Sequence, residues 1–173
     1  MKRNVVIGTL GAAAIAAAMA FQPVAAGAQA AGQVQSNQSV GQMAARINQD
    51  ISALNGDDTD YGGHRLKAIA QMQKAHNALA AAEQYAASHG MGAGASNVGA
   101  AVGTAGGGVR RQQGQSDANM QAVSSDLQTV INQLNADSAD YGGDKTTAIK
   151  ALQTAVTEIG LGLQYRQQHP AKN

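Results

Sequence analysis

The chain has 173 residues with 12 Lys and Arg against 11 Asp and Glu, a formal charge of +1, and no cysteine. So even a charge balance excludes the electrostatic footprint of a nucleic-acid binder. The lack of cysteine excludes disulfides, thiol nucleophiles and covalent haem attachment through C-x-x-C-H.

The first residues, Met1-Lys2-Arg3, form a short basic region ahead of an apolar, alanine-dominated run from Val5 to Phe21. Gln22-Pro23 and the small residues 24–30 follow, and Ala28-Gln29-Ala30 matches an A-x-A cleavage site. Residues 1–30 therefore read as a secretory signal peptide. The run is short, and too poor in leucine, for a bilayer span of about 20 residues. Cleavage would leave a mature chain beginning at Ala31 that has lost Lys2 and Arg3 and no acid, taking the charge from +1 to −1. The expected location is the periplasm or the outside of the cell, with no membrane span in the mature chain. With Phe21 removed, the mature chain has only tyrosines as aromatic residues.

The mature chain repeats itself at an offset of 80 positions. Ile51, Leu54, Asn55, Asp57, Asp60, Tyr61, Gly62 and Gly63 recur as Ile131, Leu134, Asn135, Asp137, Asp140, Tyr141, Gly142 and Gly143. The register continues through Tyr85 and His89 to Tyr165 and His169, so all four tyrosines fall in matched pairs. A gapless repeat of this length marks a duplicated supersecondary unit.

Each unit opens with a helical stripe: Val40, Met43, Ile47, Ile51 and Leu54 in one, Met120, Val123, Leu127, Ile131 and Leu134 in the other. Gln38 or Ser39 is the expected start of the first stripe, and Ser116-Asp117 the N-cap of the second. The second arms carry Ile69, Met72, His76 and Leu79, matched by Ile149, Leu152, Val156 and Ile159. Spacings of three and four place each set on one helix face. Gly160 and Gly162 weaken the last arm, since glycine costs about 1 kcal/mol against alanine in a helix.

Short turns join the arms, so each pair packs antiparallel. A hairpin of about 50 residues lies below the roughly 70–80 residues that one core can stabilise unaided. The expected fold is all-α: two tandem antiparallel helical hairpins docked as a four-helix bundle, with a homodimer of extended chains as the alternative. The expected organisation is signal peptide 1–30, hairpin 31–89, Gly-rich flexible linker 90–115 and hairpin 116–173. The linker holds Gly90, Gly92, Gly94, Gly99, Gly103, Gly106, Gly107, Gly108 and Gly114. Its length permits parallel or antiparallel docking.

The turns are the most distinctive motif. Gly62-Gly63 and Gly142-Gly143 permit positive φ. Asp60 and Asp140 stand where a carboxylate can accept hydrogen bonds from free helix amides. Tyr61 and Tyr141 are expected to cover the core with the ring and leave the hydroxyl wet. The stretch Asp60-Tyr61-Gly62-Gly63-His64-Arg65 resembles a turn of small exported bacterial helical-hairpin proteins of uncharacterised function. That resemblance covers each hairpin but not the linker; it implies the hairpin fold and no particular activity. In the second unit Asp144-Lys145 stands for His64-Arg65.

The candidate site is thus Asp57, Asp60, Tyr61, Gly62, Gly63 and His64 with Asp137, Asp140, Tyr141, Gly142 and Gly143, acting either as a structural closure or as a binding surface. An EF-hand is excluded, because position twelve counted from Asp57 or Asp58 is Ala68 or Ile69 rather than glutamate. His64, His76, His89 and His169 show no H-x-x-H or H-x-x-x-H pair. There is no P-loop, dinucleotide fingerprint, G-x-S-x-G or glutamate pair. No catalytic residue, metal site or cofactor is expected, and the partner is open. These features point to a non-enzymatic exported protein acting by binding or assembly, with an envelope small-molecule or metal-ion binder as the second reading.

Overall fold

A computed structural model describes residues 25–57, 61–91 and 113–170, with side chains from residue 39 onward in the first segment and from 114 in the last. Helix α1 is Ala25–Asn55, α2 His64–Ser88, α3 Gln113–Ala136 and α4 Asp144–Gln168, with a short 3-10 turn at Tyr141–Gly143. No strand occurs among the described residues. None of the described helices is long and apolar enough to cross a membrane. Residues 1–24 of the expected signal peptide 1–30 and residues 92–112 of the expected linker 90–115 lie outside the described residues.

The four helices form one all-α bundle. The first-arm stripes face inward: Val40, Ile47 and Leu54 of α1 and Met120, Leu127 and Leu134 of α3 are completely buried. On the second arms alanine shares the buried surface with larger side chains: Ala68, Ala75, Ala78 and Ala82 with Ile69, Met72 and Leu79 on α2, Ala148, Ala151 and Ala155 with Leu152 and Ile159 on α4. Ile149 and Val156, expected on the seam, are only partly buried. Small side chains let backbones approach closely, and α2 against α4 is the most extensive helix pairing among the described residues. The inward face of α4 is thus carried by Leu152 and Ile159, as expected, together with its alanines.

Neighbours around the bundle run α1, α2, α4, α3. The docking left open by the linker length is antiparallel. A Cβ at Gly62, before α2, would meet the Tyr165 ring near the end of α4, and one at Gly142 would meet Tyr85 near the end of α2. The hairpins are therefore related by a pseudo-twofold axis running through the α1/α3 layer and the α2/α4 layer. Arg46 and Asp126, which occupy equivalent positions in the two repeats, pair with each other across α1 and α3. Two equivalent positions can touch only at the axis.

Three boundaries differ from expectation. Helix α1 runs back through the Ala- and Gln-rich residues 25–38 instead of starting at Gln38 or Ser39; alanine and glutamine are good helix formers and need no cap at Ser39. Ser116 and Asp117 lie inside α3, which starts at Gln113, so neither is its N-cap. Asp117 is used by the opposite hairpin instead. Finally, α2 ends with Gly90 at φ +65° and the Met91 amide donating to the Ala86 carbonyl at 2.9 Å. This is a Schellman-type end, and Met91 packs back on the core. Gly90 and Met91 thus close the end of α2, and residues 113–115 belong to α3 rather than to the linker.

Candidate functional site: the paired turns

The turns hold themselves together from within. In the first, the Asp57 amide donates to Leu54 O at 3.1 Å and the His64 amide to Tyr61 O at 3.0 Å. Gly62 and Gly63 sit at φ +59° and +80°, and Gly142 and Gly143 at +65° and +91°. The left-handed path expected of the glycines is present in both turns. Asp60, together with Asp58 and Thr59, lies outside the described residues.

Two expectations about these residues are corrected. The Asp140 side chain makes no capping hydrogen bond. Asp137 does the local work: its Oδ1 accepts the Ala139 amide at 2.9 Å, an Asx-type turn. The tyrosine hydroxyls are not wet. Tyr61 and Tyr141 are 0% and 1% exposed. The Tyr61 hydroxyl donates to Asp117 Oδ1 at 2.7 Å, and that of Tyr141 to Asp137 Oδ2 at 3.1 Å. A buried hydroxyl that left its proton unpaired would cost about 1–3 kcal/mol, so burial and bonding go together.

The two turns, nearly identical in sequence, are tied down differently. The first is clasped by the opposite hairpin. Besides Tyr61 with Asp117, the Asn119 amide donates to Asp57 Oδ2 at 2.7 Å, and His64 Nδ1 pairs with Glu158 Oε2 at 2.7 Å. The second turn bonds within itself through Asp137. At the positions equivalent to Asp117, Asn119 and Glu158 the first repeat carries Asn37, Ser39 and Ala78. Gly162, read from sequence as a weak point of α4, is where this clasp closes. A Cβ there would stand 3.2 Å from Met120 Cε and 3.3 Å from His64 Cβ.

Each turn is also roofed by an aromatic pair. Tyr85 stacks on His89 with ring centroids 3.9 Å apart, and Tyr165 on His169 at 4.2 Å. Nδ1 of each histidine lies 2.9 Å from the carbonyl oxygen of its own tyrosine. That oxygen can only accept, so Nδ1 carries a proton in each contact.

Sequence reasoning missed one shared device. Arg65 and Lys145 are equivalent cations, and both reach back to the end of the preceding arm. Arg65 Nη1 donates to Leu54 O at 2.6 Å and Lys145 Nζ to Asp137 O at 2.6 Å. Each satisfies a carbonyl at or just past a helix C-terminus and complements its dipole. The signal was the matched positive charge at 65 and 145, passed over because arginine had changed to lysine.

Among the described turn residues, the Asp57 and Asp137 carboxylates and both tyrosine hydroxyls are spent on closing the bundle. His76, on the apolar seam, is 6% exposed and its Nδ1 has no hydrogen-bond partner. No group of three or more His, Asp or Glu that could hold a metal ion occurs among the described residues. The Tyr61 geometry makes a prediction. Tyr61→Phe should destabilise the fold by about 1.5–3 kcal/mol, because it removes a buried donor from a carboxylate. Tyr141→Phe, which breaks a longer bond within one turn, should cost about 0.5–1.5 kcal/mol. Equal and negligible shifts of the unfolding midpoint for both variants would contradict the cross-hairpin role of Tyr61. Comparison with protein families, curated proteins and solved structures finds no match for this chain.

Proposed function

We propose that this is a non-enzymatic exported helical protein acting by binding or assembly in the cell envelope or outside the cell, and that it docks on an anionic lipid surface through the outer face of α2 and α4. The observation that carries this reading is the segregation of exposed charge. Among the described side chains, the exposed charged residues of the four helices are Lys67, Lys74 and Lys150, all on α2 and α4. The remaining charged side chains of the helices are buried or half-buried.

The lysines share one side. Lys67 and Lys74 are two turns apart on α2, and Lys150 occupies the position equivalent to Ala70 between them. The pseudo-twofold axis leaves this face along its own direction, so equivalent stripes on α2 and α4 point the same way. Leu161, 40% exposed, lies three turns beyond Lys150 on that stripe, and Leu66, 61% exposed, stands beside Lys67. Lysines around protruding leucines complement a bilayer whose headgroups are anionic and whose interior is apolar. The signal peptide read from sequence supports an envelope location. The self-satisfied turns argue against placing the contact surface there.

Each lysine near an anionic membrane contributes about 1 kcal/mol, so three supply roughly 3 kcal/mol, about a hundredfold in partitioning. The test is co-sedimentation of the full mature chain with phosphatidylcholine vesicles, with and without phosphatidylglycerol. Binding should require phosphatidylglycerol, weaken with salt, and fall steeply in the Lys67→Gln, Lys74→Gln, Lys150→Gln triple variant. Equal partitioning onto neutral vesicles, or a triple variant that binds like the parent, overturns the reading.

A further inference from the structure

We propose that the α1/α3 seam is closed by a proton shared between Asp50 and Asp126, so that the bundle tightens in acid and loosens at this seam toward neutral pH. The inference is independent of the lipid-docking reading. It stands on the cluster at the pseudo-twofold axis. Arg46 and Asp126 pair across the axis. Asp50 follows Arg46 by four residues, so it lies one turn along the same side of α1. There it comes under the charge of the Asp126 carboxylate from α3. Two ionised carboxylates held close repel each other, and a proton on one of them replaces that repulsion with a hydrogen bond.

The charges are unbalanced by one. A single guanidinium serves two acids, and it is committed to Asp126. Asp50 Oδ2 is buried without a hydrogen-bond partner. The groups that act on Asp50 are Asp126 from α3 and Arg46 from its own helix; no charged group of α2 or α4 contributes. The position equivalent to Asp50 on α3 is Val130, completely buried, so the second hairpin supplies no counterpart. Burial, and then the Asp126 carboxylate, push the Asp50 carboxyl up to about 7, against a smaller pull from Arg46.

The consequence falls on the weakest joint. The α1/α3 contact is the least extensive of the four helix pairings, whereas α2 and α4 are locked by alanine packing. An unfolded aspartate titrates near 3.9. Between that value and about 7 the folded state holds a proton that the unfolded chain has released. Stability contributed by this proton is complete in acid, declines as pH rises through the interval, and is gone above it. Loss of the proton sets two carboxylates against each other across the seam.

The experiment is unfolding of the full mature chain from about pH 4.5 to about pH 8, for the parent and for Asp50→Asn, which keeps the shape and removes the charge. The unfolding constant of the parent should rise at least tenfold over the interval. Asp50→Asn should lose most of that rise and be more stable than the parent at pH 8. His64→Gln, which removes the His64–Glu158 pair, serves as a control and should leave the Asp50-dependent part in place. A carboxyl NMR titration placing Asp50 near 4, or an Asp50→Asn profile parallel to the parent's, overturns the proposal. Hydrogen exchange locates the change: corrected for intrinsic rates, α1 amides around residues 44–51 should lose protection above pH 7 more than those of α2.

Discussion

Replacing Gly62 and Gly142 together by alanine should lower the unfolding midpoint by about 10 °C or more, the sum of two equivalent losses of about 2 kcal/mol each. Two costs combine at each site. The first is backbone conformation: φ is +59° at Gly62 and +65° at Gly142, where an L side chain is strained by about 1 kcal/mol or more. The second is space. The new Cβ would stand 2.7 Å from the Tyr165 ring at Gly62 and 2.8 Å from the Tyr85 ring at Gly142, closer than carbon atoms allow. Each ring also carries a stacked histidine, so it cannot swing away without breaking that stack. Gly63 separates the terms. It has φ +80° but nothing within 4 Å of its Cβ, so Gly63→Ala should show the backbone cost alone. Truncating Tyr165 to alanine should relieve part of the Gly62→Ala loss and leave Gly63→Ala untouched. Equal effects at Gly62 and Gly63 would mean that the ring contact contributes nothing.

This geometry explains why the Asp-Tyr-Gly-Gly element appears twice. Each glycine pair gives the chain a reversal and a flat surface on which the tyrosine of the other hairpin lies. The tyrosine of the turn itself goes into the core. All four tyrosines are thereby used in closing the ends of the bundle. The matched positions 61, 62 and 85, with 141, 142 and 165, form one reciprocal contact repeated by the pseudo-twofold axis.

The helical arms were legible because their stripes are regular: Val40 to Leu54 and Met120 to Leu134 are buried as the spacing of three and four requires. The duplication made the four-helix arrangement legible too, since neither hairpin has a core of its own. The direction of docking was not. It is set by Gly62 against Tyr165 and Gly142 against Tyr85, contacts between residues about 100 and about 60 positions apart in the chain, which no local pattern records. The tyrosine hydroxyls were misread for a related reason. Their acceptor in the first turn, Asp117, sits on another helix and looked like a helix cap. Asp50 and Asp126 were invisible as a pair because each sits singly on a polar face of its own helix. Only the antiparallel crossing brings them together.

Arg65→Ala should destabilise the protein by about 3 kcal/mol, while Arg65→Lys should restore most of the loss. Arg65 is a charged residue only 6% exposed, and it donates to the carbonyl of Leu54, itself completely buried, at 2.6 Å. Truncation leaves that carbonyl without its donor at the end of α1 and empties the space the side chain fills. An unsatisfied buried acceptor costs about 1–3 kcal/mol, and the lost packing adds to it. Lysine should serve because the second repeat already uses it: Lys145 makes the corresponding contact with Asp137 O, 2.6 Å long. The exchange also deletes Arg65 Nε, a buried donor with no partner, so part of the arginine's burial cost disappears with it. The reciprocal Lys145→Arg should change the midpoint little for the same reason. Thermal unfolding of the three variants decides the matter. If Arg65→Lys falls as far as Arg65→Ala, the guanidinium acts through something other than the Leu54 carbonyl, and the equivalence of positions 65 and 145 is one of charge alone.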